Sequence, residues 1–303
     1  MSKAIGVLMM EHIAVGVVEN NRVVGSIRVF PEPDQAPDLL LSMPAADIAD
    51  CVAQQIEAVL ASVSNSEAPP RAIGLGAPGI VREGILDDSP NLPQLKGLDL
   101  QGVLSFRLKT ASRKMPVRIF NDADATAAGV AATRGQLHKL IRVWTIGNGV
   151  GYGRYPWAEG VWEGGHSVVT LDLKENFCGC GGRGHLEGIL GYRSMRLRFL
   201  DLEPEEIFAN ARAGDQRCAD FMQTCHRALA AATATSIHME GPGQFYVTGQ
   251  NAGFIDINLL DRTVHEMVKM SPLQGSRFES IPPNDELGII GAAVNAGRQI
   301  TPT

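Results

Sequence analysis

Twice along this chain a group of strand-length apolar segments gives way to alternating strand and helix, and this doubled pattern limits the fold more than any other feature. Residues 4–10, 12–18 and 22–29 alternate or run apolar over strand lengths, and Asn20-Asn21 has the chemistry of a hairpin turn. Residues 45–63 then carry Ile48, Val52, Ile56, Val59, Leu60 and Val63 at helical spacing behind Pro44. Residues 71–75 and 117–120 read as strands, 99–109 and 123–133 as helices. The second half repeats the logic. A strand over 142–146 runs into a glycine-rich turn from Gly147 to Gly153. Helix over 204–239 breaks near Gly214, a strand covers 245–248, and helices follow over 258–270 and 287–296. Such an order builds two α/β lobes with mixed sheets. A chain of 303 residues has room for both. We expect the break near residue 120, with 1–119 plus 287–303 as a small lobe and 120–286 as a large one. Residues 64–70 read as an exposed loop within one lobe.

The formal net charge of −6 argues against a nucleic-acid or anionic-membrane surface, because both need clustered Lys and Arg. No apolar run reaches the ~18 residues of a membrane span. The apolar start is broken at Glu11-His12 with no small-residue cleavage pattern, so it reads as a first strand and not as a secretory signal. Five cysteines, two of them one residue apart, suit metal ligation better than a disulfide framework. A reducing, cytoplasmic setting is the expectation.

The strongest chemical signal is Cys178-Gly179-Cys180-Gly181-Gly182-Arg183-Gly184-His185. Two thiolates around one glycine, with an imidazole soon after, can converge on a zinc ion while the glycines let the backbone turn tightly. His166, closing Glu163-Gly164-Gly165-His166, is the best fourth ligand. Four protein ligands leave no open position, so such a zinc ion is structural. The bland alternative is a glycine-rich surface loop with two free thiols. Cys51, Cys218 and Cys225 fall on helical segments and read as buried small hydrophobes.

Asn121-Asp122 follows a strand and opens a helix. At a strand's carboxyl end in an α/β sheet, such a pair faces the ligand crevice. There an aspartate can take a proton from a substrate hydroxyl and an asparagine can fix a second hydroxyl. Plain helix capping explains the same two residues. Asn91, Glu163, His166 and Glu187 stand in loops or at element ends beside glycine or proline. A sugar pocket needs a set of this kind, and each residue alone is equally an ordinary exposed polar group.

These residues carry a resemblance to the ROK family (repressors, open reading frames, kinases). Gly76-Ala77-Pro78-Gly79-Ile80-Val81 followed by Ser89-Pro90-Asn91-Leu92 resembles the segment running from G-x-P-G to a sugar-contacting Asn. Asn121-Asp122-Ala123-Asp124-Ala125 resembles N-D-x-N-A, and Gly147-Asn148-Gly149-Val150-Gly151 the second glycine loop, G-T-G-I-G. Glu163 to His166 matches E-x-G-H. Cys178 to Glu187 resembles C-G-C-G-x-x-G-C-L-E, with His185 in place of the last Cys, and Leu287 to Ala293 resembles G-A-I-G-A-A. The resemblance implies an actin/hexokinase-like (ribonuclease H-like) fold with a ligand cleft between the lobes. It implies that Asn91, Asn121, Asp122, Glu163, His166 and Glu187 bind a hexose or N-acyl hexosamine. Asp122 would be the catalytic base, and His166, Cys178, Cys180 and His185 would hold zinc. ATP with Mg2+ would be the phosphoryl donor, met by Gly147, Asn148, Gly149 and Gly249. Homodimers or tetramers are implied as well.

One stretch departs from the family. Its kinases open with D-x-G-G-T-K, which cradles the nucleotide phosphates. Here residues 7–13 read Val-Leu-Met-Met-Glu-His-Ile. The aspartate is replaced by Val7 or Leu8, both glycines are gone, and Glu11 puts a negative charge beside the phosphates. At ~4 Å one such charge pair costs roughly 1–4 kcal/mol. Asn148 stands for a threonine, and Thr248-Gly249-Gln250 keeps one glycine of the adenosine-side pair. Three readings follow: a sugar kinase, a sugar-binding or sensor protein without phosphotransfer, and another sugar chemistry, isomerase- or glycosidase-like, run from Asp122. The family's repressors carry an N-terminal helix-turn-helix, and we expect none here.

Overall fold

The computed structural model describes residues 3–32, 38–63, 69–108 and 115–298. In chain order come β1 (Ala4–Met9), β2 (Ile13–Glu19), β3 (Arg22–Phe30), α1 (Leu39–Ser42), α2 (Ala45–Ser62), β4 (Ile73–Ala77), β5 (Ile80–Arg82), β6 (Ile85–Asp88), β7 (Leu98–Asp99), α3 (Leu100–Arg107), β8 (Val117–Asn121) and α4 (Asp122–Thr133). Then follow β9 (Ile141–Ile146), β10 (Val150–Tyr155), α5 (Leu186–Leu190), α6 (Tyr192–Arg198), α7 (Pro204–Ala213), α8 (Gln216–Glu240), β11 (Gln244–Thr248), α9 (Ile257–Met267), β12 (Arg277–Ser280) and α10 (Asp285–Arg298). They gather into two compact units. One holds Met1–Ile141, Gly153–Val161 and Asn284–Thr303, and the other Arg142–Tyr152 and Trp162–Pro283. No helix among the described residues is long and apolar enough to cross a membrane.

The first unit is built on a sheet of order β3-β2-β1-β4-β8. β1 runs antiparallel to β2 and parallel to β4, which runs parallel to β8, so the sheet is mixed. Asn20 and Asn21 both take positive φ, 51° and 61°, as a tight hairpin between twisted strands demands. Ile5, Val7 and Met9 face one way, into a core with Ile48, Val52 and Ile56 of α2. A small sheet of order β5-β6-β7, too short for its alternation to stand out in the sequence, follows β4.

The other face receives α10 at backbone distance. A Cβ on Gly6 would lie 1.9 Å from the Ile289 carbonyl oxygen, and one on Gly74 1.9 Å from that of Ala292. The same helix is pressed on α4, where a Cβ on Gly129 would meet Leu287 O at 1.8 Å and one on Gly291 would meet Ala125 O at 1.7 Å. This contact keeps α4 in the first unit, whereas the break expected near residue 120 had set it in the second. The chain leaves the first unit after Ile141 instead. Gly291→Ala is therefore expected to destabilise the protein by about 2 kcal/mol. Alanine gains ~1 kcal/mol in helix propensity, but overpacking here costs the upper end of its usual range, ~3 kcal/mol, because backbone on both sides cannot rotate away. Urea unfolding measures the difference; an unchanged or raised midpoint would refute it.

The second unit carries a sheet of order β10-β9-β11-β12. The three-residue link Gly147–Gly149 can only join antiparallel strands, while β11 and β12 run parallel. Trp144, Ile146, Phe245 and Val247 pack with Leu229 and Ile237 of α8. Gly214, at φ 96°, separates α7 from α8 where the sequence marks a break. Arg142 is fully buried on β9. Its guanidinium donates to Ser236 Oγ at 2.9 Å and to Gly241 O at 2.8 Å, and it lies 4.0 Å from the Phe245 ring centroid.

Candidate functional site

In the first unit, three loops meet around the carboxyl ends of β4 and β8. Gly79 has φ +100°, and a Cβ there would stand 2.2 Å from Asp88 O, so the turn after β4 lies flat on the end of β6. Ser89 Oγ, fully buried, donates to Pro78 O at 3.0 Å. Asn121 Nδ2 donates to Gly79 O at 2.9 Å, and Asn121 Oδ1 accepts from Ala123 N at 2.8 Å and Asp124 N at 3.3 Å. Asn121 is thus the N-cap of α4, with one amide hydrogen left for a ligand. Asp122 is the next residue and is half-buried. Asn91 is exposed in the turn after Ser89. Buried Asp124 accepts from Arg154 N at 2.9 Å and ties the first turn of α4 to the end of β10.

In the second unit the metal candidates come together. Glycines allow it: a Cβ on Gly165 would be 1.8 Å from Val150 O, and one on Gly182 would be 2.1 Å from His185 Cε1. Leu186 N donates to Ser167 O at 3.0 Å and Val169 N to Gly184 O at 2.8 Å, which zips the segment after His166 against the one carrying His185. The ligating atoms of His166, Cys178, Cys180 and His185 all lie within 4.8 Å of one another. Cys178 Sγ is 3.4 Å from His166 Nδ1 and 3.4 Å from Cys180 Sγ, and Cys180 Sγ is 3.3 Å from His185 Nδ1. Zn–S and Zn–N bonds of ~2.3 and ~2.05 Å give tetrahedral edges of about 3.3–3.8 Å. The donor set fits that ion in chemistry, and the three short spacings of 3.3–3.4 Å lie near those edges. Without a cation, burial pushes the Cys178 thiol pKa up; a metal ion opposes this by binding the thiolate.

Glu187 lies beside the cluster. Its Oε1 is 3.5 Å from Cys178 Sγ, and its Oε2 accepts from Val150 N at 3.1 Å. A Cβ on Gly149 would strike that Oε2 at 2.4 Å, so the glycine turn between β9 and β10 is shaped around the carboxylate. Glu163 is half-buried. Burial raises its carboxyl pKa and the Glu187 charge adds to this, against a lowering by His166. Nearby backbone takes up the rest of the turn: Tyr192 N donates to Gly147 O at 3.1 Å and Arg193 N to Asn148 O at 3.4 Å. Gly249 follows β11 at φ +103°, where a Cβ would sit 2.4 Å from Ile146 O.

The turn after β1 holds an ion pair that no spacing announces. His12 Nε2 lies 2.7 Å from Asp285 Oδ2 at the start of α10, and this hydrogen bond raises the His12 pKa. Leu8 is buried, and a Cβ on Gly288 would meet its Cδ1 at 2.7 Å. The partners of Ser89, Asp124 and His12 are equally silent in the sequence, because each is a long-range contact.

Comparison with known proteins bears on the fold and the family. Over 243 residues the chain is 27% identical to a glucokinase of Pyrobaculum calidifontis, covering 74% of this chain and 78% of that protein. Its fold matches a ROK hexokinase from Thermus thermophilus with a TM-score of 0.77 at 23% identity, over 98% of this chain and 99% of the other. It also matches a ROK family transcriptional regulator, a homologue of the E. coli MLC protein, with a TM-score of 0.73 at 18% identity, over 97% of this chain and 77% of that one. The two-domain α/β fold expected from the sequence is thus the one found. The sequence profile of the ROK family matches residues 30–296, and the chain belongs to that family.

Proposed function

We infer that this chain binds a hexose or N-acyl hexosamine and transfers a phosphoryl group to one of its hydroxyls. The observation that carries the reading is the place of Asp122 where β8 passes into α4, half-buried and directly beside Asn121, whose side chain caps the helix. In the reaction Asp122 takes the proton of the attacking hydroxyl, the sugar oxygen bonds to phosphorus, and the bond to the donor's bridging oxygen breaks. Asn91, Asn121, Glu163, His166 and Glu187 hold the sugar. His166, Cys178, Cys180 and His185 hold zinc, which when bound fixes the loop that presents Glu187. ATP with Mg2+ is the donor, received by Gly147, Asn148, Gly149 and Gly249. The protein acts as a homodimer or tetramer.

A second reading, sugar binding without transfer, is favoured by one observation. Near its end β1 carries the buried, apolar Leu8, and the turn after it carries the His12–Asp285 pair, where the family's kinases carry their phosphate loop. An ATP-coupled assay over a hexose and hexosamine panel, run beside melting temperatures with each sugar, separates the two. ADP release with the sugar that raises the melting temperature is the expected result. Sugar-dependent stabilisation with no ATP consumed would replace the first reading by the second.

A further inference from the structure

Helix α6 grips the metal loop at several points, none of them a ligand. Arg198 Nη1 donates to Glu175 Oε1 at 2.9 Å, and Nη2 donates to Glu175 Oε2. Nη2 also reaches Gly188 O at 3.3 Å. The guanidinium lies 4.3 Å from the Phe177 ring centroid. Ser194 Oγ donates to Phe177 O at 3.0 Å, and Glu175 O accepts from Gly184 N at 2.7 Å. Phe177 precedes Cys178, Gly184 precedes His185, and Gly188 follows Glu187. The grip therefore falls on the direct neighbours of two ligands and of the carboxylate beside them.

The strength of this grip follows from its geometry. Exposed ion pairs contribute little, because water screens them. Here the two side chains keep only 19% and 16% of their exposure, and the pair is two-pronged and stacked on an aromatic ring. Removing one partner leaves the other charge in a largely desolvated place. The loop it holds is rich in glycine, the residue that loses most backbone freedom on ordering. A loop already ordered at its ends has less freedom to lose when an ion binds.

We propose that Arg198 and Glu175 are positioning residues for the metal loop, holding Cys178, His185 and Glu187 in register so that metal affinity and the setting of Glu187 depend on them. This rests on the assignment of zinc to the four-donor cluster. Zinc affinity is measured by competition with a chromophoric chelator for the wild type, Arg198→Met, Arg198→Lys and Glu175→Gln. Arg82→Met is the control: its exposed pair with Asp87, at 2.8 Å, lies in the first unit. Arg198→Met is expected to weaken zinc binding about 10–100-fold, the usual effect of losing an outer partner of a metal site. Arg198→Lys falls short of rescue because an ammonium cannot fork, and Glu175→Gln loses less. The absorption bands of bound cobalt(II) should change in Arg198→Met and stay the same in the control. A merely structural role would lower the melting temperature and leave the zinc affinity of the folded protein alone, and that result overturns the proposal. If Arg198→Met does not fold, Arg198→Lys and Glu175→Gln carry the same comparison. A wild-type protein that binds no zinc would instead refute the metal assignment beneath it.

Discussion

Cys178→Ser is expected to release about one zinc ion per chain and to lower the melting temperature by on the order of 10 °C. Cys178 is the centre of the cluster: its sulfur lies 3.4 Å from both His166 Nδ1 and Cys180 Sγ, and 3.5 Å from Glu187 Oε1. A serine hydroxyl does not replace a thiolate on zinc. Structural zinc contributes its binding energy directly to folding, and a loss of even ~3 kcal/mol moves the midpoint of a domain of 150–250 residues by roughly 6–12 °C. His185→Cys is the contrasting variant. Zinc takes sulfur as readily as imidazole nitrogen, so it should keep both metal and stability. Elemental analysis and calorimetry read the outcome. Serine protein with as much zinc and the same midpoint as the wild type would end the four-ligand assignment.

Asp122→Asn is expected to lower phosphoryl transfer about 10²–10⁴-fold while the sugar still raises the melting temperature. Asparagine keeps the size and one acceptor oxygen of aspartate but cannot take the proton. The helix start should survive, because its cap is the neighbouring Asn121, bonded to Ala123 N and Asp124 N. Steady-state kinetics with the sugar found in the panel give the test. A variant with wild-type kcat would remove Asp122 from the chemistry, and one that no longer binds sugar would make it a binding residue only.

Much of this was legible in the chain itself, and the reasons differ by residue. Helix α2 shows because Ile48, Val52, Ile56 and Val59 repeat at 3.6 residues and all are buried. The β2–β3 hairpin shows because paired asparagines tolerate left-handed backbone. The gathering of His166, Cys178, Cys180 and His185 shows because three of the four are close in sequence. Helices α5 and α6 do not show, being too short for a period to register. Nor does the place of α4, which is decided by glycine contacts with α10 far along the chain. Asn121 was readable both as a cap and as a ligand group. The cap is visible in its hydrogen bonds, and the amide still has a hydrogen to offer.

Helix α6 touches two features that sequence separates. Its first amides, of Tyr192 and Arg193, meet the carbonyls of Gly147 and Asn148, and its last residue, Arg198, clasps Glu175. A short rod fastened at both ends transmits displacement. A spectroscopic label at Asn148 should therefore report any ion taken up by the four-donor cluster that begins at His166, and would do so without any enzymatic turnover.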